Sequence, residues 1–551
     1  MNEQLFIICI ILAVIVLLIA FSIWNSIKLR RQVRYGWGKL PNSTAFDKEK
    51  SLKEAYLEAR KYHTTDSEVD DITWYDLDLI DIFDQINHTY SSIGSEALYQ
   101  RLRSFNFSEA DQAELEELIT FYQENPQQRE DVEYAFAKLG KRDKNFVVRY
   151  LSQSATNRLG SLGFFILLGL LPFFGILLLF LNLGIGLFIA LGAIIFNIVY
   201  YQTKKQELDM ELSSMSYLVQ SISTAKKISK VATPKQAEIK QSLKPLQSIL
   251  KFAVSFRIKS NSESEMFFEY INIMLMLPFI SYHFVVDRIA KHNQEAIDLW
   301  QVLGKLEVAA AVLNYRSLLP VSCPPTFQKG GIEGETVYHP LVENAVANPV
   351  DWQKNTLVTG SNASGKSTYV RAIALNCILG QTIYTCLAEE FILERGHVLT
   401  SMAVEDDIFE GDSYFVAEIK SIKRVLEKVK TKERCYCFID EILKGTNTIE
   451  RISASASIVK WLSDYPSLVY VATHDIELTE ILKNYCTDVH FEEQVTEGQG
   501  VSFDYVLRQG PARTRNAIRL LKVLDYPDAI VKKAQDEAES FDTTRQWPIF
   551  E

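Results

Sequence analysis

The sequence predicts a composite α plus α/β chain: transmembrane helices, a helical core interrupted by a membrane hairpin, and a C-terminal α/β domain. Three observations carry this reading. Apolar residues gather into blocks, Leu5 to Trp24 and Leu162 to Tyr201, long enough to cross ~30 Å of hydrocarbon once and twice. A glycine-rich octapeptide, Gly360 to Ser367, follows a short β-rich run and precedes a helix-forming stretch. Further on, an apolar run ends in the paired carboxylates Asp440 and Glu441.

The membrane elements come first along the chain. Leu5 to Trp24 is preceded by Glu3 and followed by Lys28, Arg30, Arg31 and Arg34, the reverse of the charge order in a cleavable signal peptide. Positive charges stay inside, which places the N-terminus outside and residue 28 onward in the cytoplasm. In the second block Asn182 and Gly184 supply a tight turn, and Arg149, Arg158, Lys204 and Lys205 flank it on both sides. Both ends are therefore expected inside, as a hairpin requires. A third apolar stretch, Phe267 to Val286, contains Glu269, Asn272, Pro278 and His283, each costly in lipid. It is read as a buried core helix, because a span there would put the following domain outside.

Composition narrows the function classes. With a formal net charge of -11 the chain is not a strongly basic nucleic-acid binder. A run of lysines from Lys204 through Lys226, Lys227, Lys230, Lys235, Lys240 and Lys244 to Lys251 is either a solvated, membrane-proximal helix face or a local DNA-binding groove. The seven cysteines are scattered without metal-ligand pairs, and Cys435 and Cys437 alternate along a strand as small core residues, which suits a reducing cytoplasm.

Thr356 to Thr359 followed by Gly360-Ser361-Asn362-Ala363-Ser364-Gly365-Lys366-Ser367 matches the P-loop pattern G-x-x-x-x-G-K-[ST]. Glycine permits a tight loop whose backbone N–H groups face phosphate oxygens. Lys366 is placed for the β- and γ-phosphates of ATP, and the Ser367 hydroxyl for Mg²⁺. Thr368 begins a helix whose positive end faces the same phosphates. Asp440 is placed to hold Mg²⁺ and Glu441 to polarise the attacking water. A further strand, Leu468 to Ala472, ends in Thr473-His474-Asp475, where His474 is positioned to sense the γ-phosphate.

These motifs resemble the ATPase domain of the MutS family of DNA mismatch-repair proteins. Thr359-Gly360-Ser361-Asn362 is similar to that family's T-G-x-N start. Asp406-Asp407-Ile408-Phe409-Glu410-Gly411-Asp412-Ser413-Tyr414-Phe415 resembles its D-D-x-x-x-G-x-S-x-F loop, Asp440 to Thr448 its D-E-x-x-x-G-T-x-T, and Ala472-Thr473-His474 its A-T-H switch. Upstream, Ile86-Asn87-His88-Thr89 and Leu303 to Asn314 resemble the start and end of a MutS-like helical core, and Tyr338-His339-Pro340-Leu341-Val342 the opening of the ATPase domain. The departures are an absent F-x-E wedge, no room for a mismatch-reading domain, a hairpin where lever and clamp helices are expected, and Ala345 where an adenine-stacking aromatic usually precedes A-N-P.

The resemblance implies a P-loop, ABC-like ATPase acting as a homodimer, in which Gly411 and Ser413 reach the ATP held by the partner's P-loop. Residues 542–551 are too short for the family's C-terminal oligomerisation tail, so the dimer is expected through the ATPase faces. The expected organisation is an anchor at 1–27, a cytoplasmic helical region at 28–158, the hairpin at 159–203, a second part of the core at 204–325, the ATPase domain at 326–541 and a tail at 542–551. The location expected is a cell membrane, with the ATPase domain cytoplasmic. Two functions fit: a membrane-tethered, DNA-handling ATPase, or an ATP-driven membrane switch that no longer binds DNA. The expected spans hold no charged residue to mark a substrate path, which leaves a transporter third.

Overall fold

The computed structural model describes residues 3–41, 48–61, 65–142, 145–152, 160–257, 270–361, 364–402, 414–496, 500–512, 518, 521–522, 526–544 and 546–547. The chain divides into two compact units. One comprises Met1–Thr64, Phe83–Arg101 and Ser108–Leu318; the other comprises Thr65–Ile82, Leu102–Phe107 and Leu319–Glu551. Two short stretches of the expected N-terminal helical region thus belong with the C-terminal unit.

The first unit is helical. Its N-terminal helix, Glu3–Gly36, contains the first apolar block and continues through the basic residues after it. Arg34 Nε donates to Glu130 Oε2 at 2.8 Å and Arg30 pairs with Asp131, both on the helix Pro126–Leu139. Pro126 sits in that helix's first turn, where a missing N–H costs nothing, and Gly140 at φ 73° ends it.

The second apolar block folds as a helical hairpin, Leu162–Leu178 and Leu183–Ile228. Asn182, expected within the turn, instead caps the second helix, its Oδ1 accepting from Ile185 N at 3.1 Å. Leu183–Lys204 is long and apolar enough to cross a membrane, whereas Leu162–Leu178 is apolar but shorter. Among the described residues that makes one such helix by length and composition, against the three spans expected. The helix continues without interruption to Ile228, so the boundary expected at 203/204 falls inside it.

Of the third apolar stretch, residues 267–269 lie outside the described residues. Leu277–Lys291 forms a helix with Phe279, Tyr282, Val285, Val286 and Ile289 buried. The next helix, Asn293–Leu318, carries the fully buried Glu307. Its Oε1 accepts from Tyr90 N at 2.7 Å and Ser91 N at 3.1 Å, the two residues just ahead of the helix Ser92–Arg103.

The second unit is α/β. Its strands are β1 (Ser67–Glu68), β2 (Ser104–Phe105), β3 (Thr326–Phe327), β4 (Ile332–Val337), β5 (Asn348–Trp352), β6 (Asn355–Thr359), β7 (Glu390–Leu393), β8 (His397–Ser401), β9 (Cys435–Asp440), β10 (Ser467–Ala472), β11 (Cys486–His490), β12 (Glu493–Thr496), β13 (Gly500–Phe503) and β14 (Arg508–Gln509). The main sheet has the order β14-β11-β6-β10-β9-β8, parallel except for β14. Every residue of β6 and β10 is buried, as in a parallel sheet covered on both faces. Trp352 anchors the core, with the rings of Tyr436, Phe438 and Tyr470 at 5.8, 5.2 and 4.8 Å.

The outer strand β8 is covered by the helix Asp71–Asp76, which Asp70 caps through Thr73 N at 2.9 Å. Asp76 Oδ2 accepts from Thr400 Oγ1 at 2.6 Å and from Met402 N at 2.9 Å, fixing the chain as it leaves β8. Arg424, on the helix Tyr414–Val429, bonds Asp70 and the Thr400 carbonyl.

Candidate nucleotide-binding site

The order of the central strands builds the site. β10 lies between β6 and β9, in register with both, so the loops leaving all three open at one edge of the sheet. The glycine-rich loop follows β6, the carboxylates end β9, and Thr473-His474 follows β10.

The loop conformation requires glycine at two points. Gly360 has φ 140° and a Cβ there would lie 2.6 Å from the Phe491 carbonyl oxygen; Gly365 has φ 104° and faces the Tyr505 ring. The helix Lys366–Thr382 starts at once after Gly365. Lys366 Nζ donates to the Gly360 and Ser361 carbonyls at 2.8 and 2.7 Å. Burial pushes its ammonium down to about 8, opposed by Asp440, Glu441 and Glu493. Ser364 Oγ is buried within the loop without a hydrogen-bond partner. Asn362 and Ala363 lie outside the described residues, as do Gly411 and Ser413.

Ser367 Oγ donates to Asp440 Oδ2 at 2.6 Å. One hydroxyl and one carboxylate at the first turn of the loop helix suit a Mg²⁺ ion that keeps waters and phosphate oxygens as its other ligands. Glu441 follows in the left-handed region at φ 58°, a conformation costing about 1–3 kcal/mol in a non-glycine residue. Its N–H donates to the Ala472 carbonyl at 2.9 Å, which ties the carboxylate pair to the neighbouring strand. Glu441 Oε1 lies 2.9 Å from His474 Nε2, and Lys444 Nζ stands 3.4 Å from Oε2. The His474 hydrogen bond is the main force holding the Glu441 carboxyl down at about 2. Glu441 is therefore ionised throughout the physiological range and suited to orienting a water. The His474 loop is itself braced: Arg451 grips Asp475 in a two-point pair at 2.8 and 2.6 Å.

These groups line a cavity of about 550 Å³. Sequence reasoning placed Lys366, Ser367, Asp440, Glu441 and His474, and all five meet there. It gave no role at the site to four residues. Tyr505 stands at the cavity wall against Gly365. Asn348 holds the Tyr505 segment by donating to the Tyr505 carbonyl at 2.9 Å and accepting from Leu507 N at 2.8 Å. Glu493 accepts from the Ser361 hydroxyl. His339 also lines the cavity, its imidazole pushed down to about 4 by burial, and Nδ1 accepts from Leu341 N at 3.3 Å. Asn348 and His339 stood in recognised motifs, whereas nothing in the sequence around Tyr505 or Glu493 announces a site.

Comparison with known proteins agrees with this geometry. Residues 356–542 match the family model of MutS domain V. The chain is 28% identical to a DNA mismatch repair protein MutS of Thermotoga petrophila over 264 residues, 46% of this chain and 33% of that protein. It is 28% identical to a DNA mismatch repair protein MutS 2 of Haloarcula marismortui over 294 residues, covering 47% and 30%. A MutS of Natronomonas pharaonis matches at 30% over 259 residues, covering 45% and 29%. The matched region spans about a third of the length of these relatives. Through its C-terminal domain, the chain belongs to the MutS family.

Proposed function

We propose that the chain is a membrane-anchored, MutS-type ATPase that binds and hydrolyses Mg-ATP in a dimeric clamp and couples this to DNA handling. The observation that carries the ATPase reading is the convergence of Lys366, Ser367, Asp440, Glu441 and His474 at one sheet edge. On nucleotide binding Lys366 exchanges its two loop carbonyls for phosphate oxygens, and the buried Ser364 hydroxyl gains an acceptor. Mg²⁺ supplies charge neutralisation of the phosphate oxygens when held by Ser367 and Asp440. Glu441 orients the attacking water and His474 holds Glu441. The Tyr505 ring offers the base a stacking face, in place of the aromatic that Ala345 lacks.

The clamp reading rests on the family resemblance of the loop containing Gly411 and Ser413. Exposed apolar side chains on the same unit accord with it: Ile449 is 80% exposed, and Phe415, Val416 and Ile419 are also open. The membrane reading rests on the outward apolar face of the hairpin, where Phe180, Leu181 and Phe188 are at least four-fifths exposed. A soluble core hairpin would bury that face.

A second reading, an ATP-driven membrane switch without DNA, draws support from the unbroken helix Leu183–Ile228, which carries the hairpin directly into the helical core. ATP hydrolysis by the solubilised protein, with and without duplex, mismatched and branched DNA across a salt series, separates the two. Stimulation by DNA that falls steeply with salt supports DNA handling. Turnover that ignores DNA but responds to lipid supports the switch. Glu441→Gln is expected to trap an ATP-bound dimer; a variant that binds ATP yet stays monomeric overturns the clamp.

A further inference from the structure

Two backbone carbonyls in the apolar segments lack a helical donor. Pro172 lies within the helix Leu162–Leu178, and its missing N–H frees the Leu168 carbonyl four residues back. Met274 lies just ahead of the helix Leu277–Lys291, and Met276 between them is in the left-handed region at φ 53°, so the Met274 carbonyl has no donor from that helix either. Both carbonyls are taken by one side chain. Asn197, fully buried on the second hairpin helix, donates from Nδ2 to Leu168 O at 2.8 Å and to Met274 O at 2.7 Å. Its Oδ1 has no partner, so the residue's contribution here is its pair of N–H donors. The backbones also meet closely: a Cβ on Gly169 would stand 2.5 Å from the Leu275 carbonyl oxygen, and Phe165 stacks on Phe279 with ring centroids 4.9 Å apart.

Leu168 is six residues into its helix, roughly 9 Å along the axis from its start at 1.5 Å per residue. The segment around Met274 meets the hairpin at that depth, and Tyr270, one turn earlier, is 61% exposed. We infer that residues 270–276 are a third membrane element, seated beside the hairpin below the lipid–water boundary, contacting acyl chains, and pinned there by Asn197. This rests on the reading of the hairpin as membrane-inserted. In hydrocarbon no water is at hand for these two carbonyls, so the two donors of Asn197 make both breaks in the helical bonding tolerable. The same pin fastens the hairpin to the helix Leu277–Lys291, and so to the helical core.

The test uses the full-length chain, with Cys9 and Cys323 replaced by serine, in phosphatidylcholine–phosphatidylglycerol vesicles. Bimane is placed on Tyr270→Cys or, as a mid-hairpin reference, on Leu191→Cys. Both probes are expected to be quenched by nitroxide lipids and shielded from iodide. A Leu191 probe quenched by lipid beside a Tyr270 probe quenched by iodide alone overturns the inference and spares the hairpin. A Leu191 probe open to iodide overturns both. Thermal unfolding in nanodiscs tests the pin separately. Asn197→Leu is expected to lower Tm, and Pro172→Ala, by restoring the N–H to Leu168 O, to remove roughly half of that loss. Asn197→Asp is expected to be worse than leucine, because it faces two carbonyls with a carboxylate. An Asn197→Leu loss unchanged by Pro172→Ala, or an aspartate that behaves as asparagine, overturns the pin.

Discussion

Glu133 is the residue whose replacement should most clearly stabilise the protein, and only above a definable pH. It lies 4% exposed on the helix Pro126–Leu139, and its Oε1 has no hydrogen-bond partner. Among the described residues its ion-pair partner is Arg129, which stands 3.7 Å away and is stacked 3.3 Å from the centre of the Trp37 ring. Burial, which outweighs Arg129 and is reinforced by Glu307 and Glu130, pushes the Glu133 carboxyl up to about 8 from 4.5. Glu307 is raised to about 7, again chiefly by burial. For an acid raised in the folded state, the unfolded chain binds fewer protons between the two pKa values, so stability falls as pH rises through that interval. From pH 5.5 to 8 the Glu133 contribution falls by about 3 kcal/mol and that of Glu307 by about 2 kcal/mol, at 1.36 kcal/mol per unit. Glu133→Gln keeps the shape and removes the charge, so the pH-dependent loss should shrink to the Glu307 part. Between pH 5.5 and 8 the variant's Tm should then gain roughly 6 °C on the parent's, taking about 2 °C per kcal/mol for a unit of this size. The assay is thermal unfolding followed by tryptophan emission at pH 5.5 and 8, with Trp37 reporting from the cluster itself. Parallel pH dependences in parent and variant would refute the reasoning.

Other outcomes follow from the second unit. Tyr505→Ala should weaken binding of a fluorescent ATP analogue by about tenfold, from an aromatic–base stacking contribution of about 1–3 kcal/mol, while thermal unfolding of the apo-protein is unchanged; an unaltered affinity would remove Tyr505 from the site. Asp76→Ala leaves Thr400 Oγ1 and Met402 N without their acceptor, at about 1–3 kcal/mol for each buried group. Because Met402 immediately precedes the segment containing Gly411 and Ser413, turnover should fall while ATP affinity holds, as steady-state kinetics beside equilibrium binding would reveal.

The part of the site that the sequence disclosed is the part whose chemistry is local. A phosphate loop needs glycines at fixed offsets and a lysine–serine pair at the start of a helix, so Gly360, Gly365, Lys366 and Ser367 declare themselves within one octapeptide. Asp440 and Glu441 close an apolar strand, a pattern equally local. Tyr505 reaches the cavity, and Glu493 the Ser361 hydroxyl, only because the chain returns past the loop after β11, and Asn348 recognises Tyr505 across 157 positions. The grouping of Thr65–Ile82 with the C-terminal unit was hidden for the same reason. It depends on ion pairs and hydrogen bonds such as Asp70 with Arg424, Asp76 with Thr400 and Asp78 with Arg371. Each half of such a pair, read alone, is an ordinary polar residue.

In the apolar segments the difficulty was of another kind, because each signal was visible in the sequence while its partner was not. Pro278, with Glu269, Asn272 and His283, counted against lipid contact. Asn197 drew no attention within a strongly apolar block. Each group is a liability only while the others are unplaced: the amide's two donors and the carbonyls of Leu168 and Met274 balance as a set. No window of sequence contains all three, because they lie on three different helices. The continuity of Leu183–Ile228 then gives the set a mechanical consequence. In the switch reading, the helix that runs unbroken from the hairpin into the core, bonded at Asn197 to the segment before Leu277–Lys291, is the element that carries a displacement of the core toward the hairpin.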